Sequence, residues 1–386
     1  MRRSTDRILT THCGSLARPR DLLDLMKAKV TGQPYDHDTY ARRVRSAVAE
    51  VVRRQIESGI DVPTDGEQGK PGFFAYVDER LDGFEARRGA SSPGWAAEVA
   101  AFPEYYQEYF SHAMAGGAIA GGVKLTCTGP VSYRGHEAVR RDIDNLKAAL
   151  AGLAPADVFM PAVAPSGVGA NEYYRTDEEY LHAVAEAMRT EYRAIVDAGF
   201  LLQIDDPFLT DLYSGSPLSA TERQRTAEMY VEAVNHGLRG IPAERVRFHT
   251  CYGINEGPRV HDAPLRDVLD VMLKVNAGAY SFEAANARHE HEYHVFEQVK
   301  LPEGKVLIPG VITHSSNIVE HPEWIAERLV RFARLVGREN VVAGADCGFS
   351  SQATYTPEVH PTVIWAKFEA LRDGARIASN ALWSRG

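Results

Sequence analysis

The chain has 386 residues, 44% of them hydrophobic and 25% charged, with a formal net charge of -9. That length buries a core large enough for one large barrel or two ordinary domains, and the acidity excludes attraction to nucleic acid or to an anionic membrane surface. No apolar run approaches the roughly 20 residues needed to span a bilayer, and the basic N-terminus lacks the apolar segment of a signal peptide.

In chain order, short β-branched apolar runs alternate with amphipathic helical stretches. Strands are predicted at 8–12, 60–64, 123–127, 158–163, 201–205, 246–251, 279–283, 306–312 and 341–345. Between them lie stripes of helical spacing, such as Tyr40, Val44, Val48, Val52 and Ile56, and later Leu181, Val184, Met188, Tyr192, Ile195 and Val196. This alternation predicts an α/β chain, most economically a (β/α)8 TIM barrel occupying 1–386 as one domain. Nine runs compete for eight places, and 158–163 or one of the last two is read as the surplus. The rhythm breaks over 84–122, which carries the aromatic stretch Phe102 to Phe110. An insertion after the second strand would make a lid on the catalytic face, or a helical decoration packed on the barrel side or in the interface of a homo-oligomer.

Several predicted strands end in chemically capable side chains: Asp65 and Glu67, Asp205 and Asp206, His249 and Cys251, Glu283, His314, Asp346 and Cys347. In a barrel these ends meet at one face. His249 and Cys251 stand two apart on an extended segment, so both project to one side. Alone, such a pair also describes a packed strand with a buried thiol. With Glu283 and Cys347 it becomes a four-coordinate N/O/S₂ set, which suits Zn²⁺ better than magnesium or calcium. Zinc in so anionic a cage is a poor Lewis acid for hydrolysis but holds a substrate thiol as a reactive thiolate. The four cysteines, Cys13, Cys127, Cys251 and Cys347, are too few for a disulfide framework and read as reduced cytosolic thiols. Cys13 and Cys127 are expected in the barrel core.

The motifs then resemble a known family. Thr11-His12-Cys13-Gly14-Ser15, Asp65-Gly66-Glu67, Thr128-Gly129-Pro130-Val131, Gln203-Ile204-Asp205-Asp206-Pro207, His249-Thr250-Cys251-Tyr252, Ser281-Phe282-Glu283, Thr313-His314-Ser315 and Asp346-Cys347-Gly348 follow, in order, the pattern of the cobalamin-independent methionine synthase superfamily, in its zinc-bearing C-terminal barrel. The resemblance implies zinc ligation by His249, Cys251, Glu283 and Cys347. It implies that His314 protonates the leaving group, a task that wants an imidazole near its ordinary pKa. It also implies that Glu67 and Asp205 hold a substrate ammonium while the Gly14–Ser15 turn binds its carboxylate. The implied partners are a small-molecule thiol, homocysteine or a related aminothiol, and a methyl or alkyl donor. The competing reading of Glu67 and Asp205 pairs them with Lys70 or Arg18.

Departures from the family pattern fall on one half of the site. Ser132-Tyr133-Arg134-Gly135-His136 replaces a tryptophan and an aromatic run. Asn286-Ala287-Arg288-His289-Glu290-His291-Glu292 replaces a serine-rich segment, and Phe349-Ser350-Ser351-Gln352 follows Cys347 where basic residues are usual. The thiol-activating half therefore matches and the folate-polyglutamate half does not. His289, His291 and His294 are expected to be solvated helix residues, and Asp206 to cap a helix. Two other readings stand beside the methyltransferase: thiol addition to an epoxide, as in epoxyalkane:coenzyme M transferases, and a porphyrinogen-decarboxylase-like barrel or binding protein with structural zinc.

Overall fold

The computed structural model describes residues 1–88, 96–112, 117–119, 123–253 and 256–384. The first half runs β1 (Leu9–Thr10), α1 (Arg20–Val30), α2 (His37–Glu57), β2 (Leu81–Arg88), α3 (Ala96–Ala101), α4 (Pro103–His112), β3 (Val123–Tyr133), α5 (His136–Ala149), β4 (Phe159–Val163) and β5 (Ala170–Asn171). Then come α6 (Asp177–Asp197), β6 (Leu201–Asp205), α7 (Pro207–Asp211), α8 (Ala220–Gly237), β7 (Val246–His249) and α9 (Leu265–Met272). The chain finishes with β8 (Ala279–Phe282), β9 (Val306–Ile312), α10 (Pro322–Val336), β10 (Val342–Ala345) and α11 (Pro361–Trp383).

Local chemistry sets the helix boundaries. Asp36 caps α2 by accepting from the Thr39 amide, and Tyr40, Val44, Val48 and Val52 form its buried stripe. Thr176 caps α6 through the Glu179 amide, above the buried stripe Leu181, Val184, Met188, Tyr192 and Ile195. Both stripes match the helical spacing of the sequence.

The main sheet has seven strands in the order β1-β10-β9-β8-β7-β6-β4, all parallel. Its strands are buried along their whole length, as expected where helices cover a parallel sheet. The segment 60–64 touches both outer strands: Val62 bridges Thr11 in parallel, and the Phe159 amide donates to the Pro63 carbonyl at 3.1 Å. The sheet is thereby curled about a common axis, and its strand ends gather on one side.

One expectation needs correction. The run 158–163 and the last two predicted strands all belong to this sheet as β4, β9 and β10; the surplus run is 123–127. It lies in β3, which pairs antiparallel with β2 and parallel with β5 in a separate three-stranded sheet. The reason is visible in its side chains. Lys124 is exposed and Thr128 half-buried, while Leu125 and Cys127 are buried. Such a strand cannot sit between covered parallel neighbours. Cys127 is buried as expected but belongs to this separate sheet rather than to the main one.

Of the segment 84–122, residues 89–95, 113–116 and 120–122 lie outside the described residues. The described part bridges two loops at the strand ends. Glu98 accepts from the amides of Val260 at 3.2 Å and His261 at 3.0 Å. Ile119 donates to the Ala353 carbonyl at 2.8 Å, and Thr354 to the Gly117 carbonyl at 2.7 Å. No helix among the described residues is long and apolar enough to cross a membrane.

Candidate metal centre

β7 delivers His249, and the pairing direction continues one residue past the strand, where the Thr250 amide donates to the Ser281 carbonyl at 3.1 Å. Cys251 follows. Off the end of β10 comes Cys347, whose Sγ lies 2.9 Å from that of Cys251. His249, Cys251 and Cys347 form one group whose ligand atoms all lie within 4.8 Å of one another, every member buried. Three predicted ligands thus converge from two strand ends far apart in sequence.

The donor set fits a soft or borderline cation. His249 Nδ1 faces the Ser281 hydroxyl at 3.1 Å, whereas Nε2 is buried without a hydrogen-bond partner. A buried, unsatisfied imidazole nitrogen is costly. Burial, with Arg247 nearby, pushes this imidazole down to about 3, so it is neutral and free to ligate. The hydrogen bond to Cys347 and burial push the Cys251 thiol well above its ordinary value. The Cys251 contact acts downward on Cys347, yet burial and the charges of Cys13 and Glu283 leave it raised. Two thiols at that separation become ligands only when a cation offsets both charges.

Glu283 is not a member of that group. It belongs to a second one, with His314 and Asp346, whose ligand atoms also lie within 4.8 Å of one another. Its Oε1 accepts from the Tyr252 amide at 2.8 Å. Oε2 accepts from Asn286 Nδ2 at 2.7 Å and pairs with Arg259 Nη2 at 2.9 Å. The carboxylate still stands close enough to act on both thiols. It was expected as a fourth ligand with the triad; here it is held by Tyr252, Asn286 and Arg259 instead.

His314 donates from Nε2 to the Gly253 carbonyl at 3.1 Å; the acceptor being a carbonyl fixes the tautomer. Nδ1 is buried without a partner. Burial, reinforced by Arg259, pushes this imidazole down to about 4. The expectation of an ordinary pKa is therefore corrected: in this enclosed state His314 is neutral and offers a lone pair.

The remaining predicted residues surround the same spot. Glu67 has a left-handed φ of 56°, and its Oε1 lies so near Gly14 that a Cβ there would meet it at 3.1 Å. Its Oε2 has no hydrogen-bond partner. Burial raises the carboxyl against the pull of Lys70 and Arg18. Asp205 is raised well above its ordinary value by burial and then by Glu67. Lys70 spends Nζ on the Pro161 carbonyl at 2.6 Å, and Arg18 donates to the carbonyls of Leu16, Ser350 and Lys70. The acidic pair is thus short of a hydrogen-bonded cation. Ser15 abuts Gly348, where an added Cβ would lie 2.0 Å from its Oγ.

Cys13 lies beside the centre, its Sγ 3.7 Å from His249 Nδ1 and 2.9 Å from the Ala345 carbonyl it donates to. Asp206 caps α7 through the Leu209 amide, as expected. His289 is not solvated: it is buried, with Nδ1 2.7 Å from Glu292 and Nε2 3.1 Å from Asp262. Asp346 had no assigned role, yet its carboxylate accepts from the amides of Ala284, Ala285 and Asn286 and so fixes the turn after Glu283. Gly310 leaves room for it, since a Cβ there would come within 2.1 Å of Asp346 Oδ1.

Residues 165–363 match the family described as the cobalamin-independent synthase catalytic domain. The chain is similar to methionine synthases of Saccharolobus solfataricus, 23% identical over 384 residues covering 98% of this chain and 96% of that one, and Sulfolobus acidocaldarius, 23% identical over 344 residues covering 88% and 85%. The fold is shared with a B12-independent methionine synthase from Shewanella sp. W3-18-1, with a TM-score of 0.72 at 17% identity, covering 98% of this chain and 100% of that one.

Proposed function

The chain belongs to the cobalamin-independent synthase catalytic-domain family, and from that premise we propose a zinc-dependent methyltransferase whose acceptor is the thiol of homocysteine. One observation carries this reading: the buried triad of His249, Cys251 and Cys347, with an unsatisfied imidazole nitrogen facing service as a ligand and two thiols 2.9 Å apart. Nitrogen with two sulfurs selects zinc over hard cations, and Glu283 stands beside them as a fourth donor. Bound there, zinc would supply a substrate thiolate at neutral pH, where a free thiol near pKa 8.5 is mostly protonated.

The chain's own residues do the rest. Glu67 and Asp205, short of a cation, take the ammonium of the aminothiol, and the Gly14–Ser15 turn takes its carboxylate. A sulfonate placed there would meet like charges, so thiol addition to an epoxide by coenzyme M is set aside. The thiol proton leaves to solvent on binding, and His314, protonated at its free Nδ1, gives a proton to the leaving group as the carbon–sulfur bond forms and the donor bond breaks. The loops after β7 and β10, tied down by Glu98 and by the Gly117 and Ile119 backbone, exclude water from the transfer. We read the whole as a (β/α)8 barrel over 1–386 with 84–122 as an insertion over its catalytic mouth. A reducing compartment such as the cytosol suits this chemistry, since oxidation of Cys251 and Cys347 would remove both sulfur donors.

Incubating zinc-loaded protein with homocysteine and a panel of methyl donors, including methylfolate and methylcobalamin, is expected to yield methionine. Homocysteine left unconsumed across the panel would contradict the assignment.

A further inference from the structure

Arg259 sits in the loop between Cys251 and α9 with a left-handed φ of 59°. Non-glycine residues adopt that conformation at a cost, and they persist there when surrounding contacts over-determine them. Those contacts are present. Nε pairs with Asp262 at 2.8 Å, and Asp262 is braced from behind by His289. The Arg259 carbonyl accepts from Arg288 Nε at 3.1 Å, and the next two amides are held by Glu98. All of this holds Nη2 2.9 Å from Oε2 of Glu283, an ion pair that lacks hydrogen-bond alignment. Glu283 therefore has two competing attractions: a cation held by His249, Cys251 and Cys347 on one side, and a fixed guanidinium on the other.

We propose that Arg259 is a positioning residue that competes for the Glu283 carboxylate, and so decides whether the fourth place beside the triad is filled by that carboxylate or by substrate sulfur. The proposal rests on the zinc–thiol reading above. With Glu283 drawn to Arg259 the place is open to an incoming thiol; without Arg259 only the neutral donors of Tyr252 and Asn286 hold the carboxylate against the cation, and it occupies the place. A guanidinium suits this task because it stays charged and its fork reaches Asp262 and Glu283 at once.

The test uses the full chain, with zinc affinity measured by chelator competition and homocysteine affinity by calorimetry on zinc-loaded protein. Arg259→Met is expected to tighten zinc and weaken homocysteine, each by roughly tenfold. Arg259→Lys should fall between, and it carries the same test if the methionine variant does not fold. On a Glu283→Gln background, changing Arg259 should leave homocysteine affinity unmoved. A merely structural arginine would weaken both affinities together; that result, or no change in either, overturns the proposal. Wild-type protein that takes up no zinc would instead contradict the zinc–thiol reading itself.

Discussion

At the level of single residues, His314 shows how burial redefines a role. Its Nε2 is committed to the Gly253 carbonyl and its pKa is lowered to about 4, so it must receive a proton before it can give one. His314→Asn keeps a polar group of similar reach but cannot carry the proton. Turnover is expected to fall about a hundredfold, in the usual range for general acid–base catalysis, with homocysteine affinity within about twofold of wild type. Steady-state kinetics beside calorimetry checks this; unchanged turnover would remove His314 from the mechanism. The buried group His249, Cys251 and Cys347 was legible in the sequence because cysteine and histidine at strand ends are chemically unusual and sharply spaced. Arg259, Asn286 and Asp346 were not, because what they do depends on loop backbone: Arg259 by a left-handed φ, Asn286 by turning back onto Glu283, and Asp346 by collecting three amides of another segment.

Among the elements, α3 is the one whose loss should be felt furthest away. Glu98 is buried and holds two successive amides of the loop that follows Cys251. Charge-assisted bonds of this kind contribute on the order of 1.5–3 kcal/mol. Glu98→Ala is therefore expected to speed hydrogen exchange at residues 256–264 by at least tenfold while leaving β4 and β6 protected; exchange that stays as slow as in the wild type would show that α3 does not fasten this loop. The seven strands of the main sheet were read from apolar runs, whereas 60–64 forms only an isolated bridge through Val62 and the pairing strands β2 and β5 were not read at all. Length and β-branching look alike in β3 and in the buried strands. What separates them is the exposed Lys124 and the half-buried Thr128 at either end of the buried Leu125–Cys127 stretch, which no covered parallel strand of the main sheet shows.

For the molecule as a whole, the α/β architecture was legible because strand and helix periodicities alternate over most of the chain, whereas the ionic network behind the site was not. Glu283, Arg259, Asp262, His289 and Glu292 alternate in charge across buried space. Burial alone would lower His289, but its bonds to Asp262 and Glu292 and the charge of Glu283 push it up to about 9. Protonated His289 therefore adds stability in full below about pH 6.5, its ordinary value, and the contribution is lost as pH rises through 9. Between those limits metal-free wild type should lose on the order of 3 kcal/mol more unfolding free energy than His289→Gln. Denaturant titrations that run parallel for the two proteins would contradict it. The account as a whole turns on a cation joining the His249–Cys251–Cys347 triad to substrate sulfur. Calorimetry of homocysteine into zinc-loaded protein, in buffers of different ionisation enthalpy, should show binding with release of about one proton, abolished by zinc removal and by Cys251→Ser. Equal binding by the loaded, stripped and substituted proteins would contradict it.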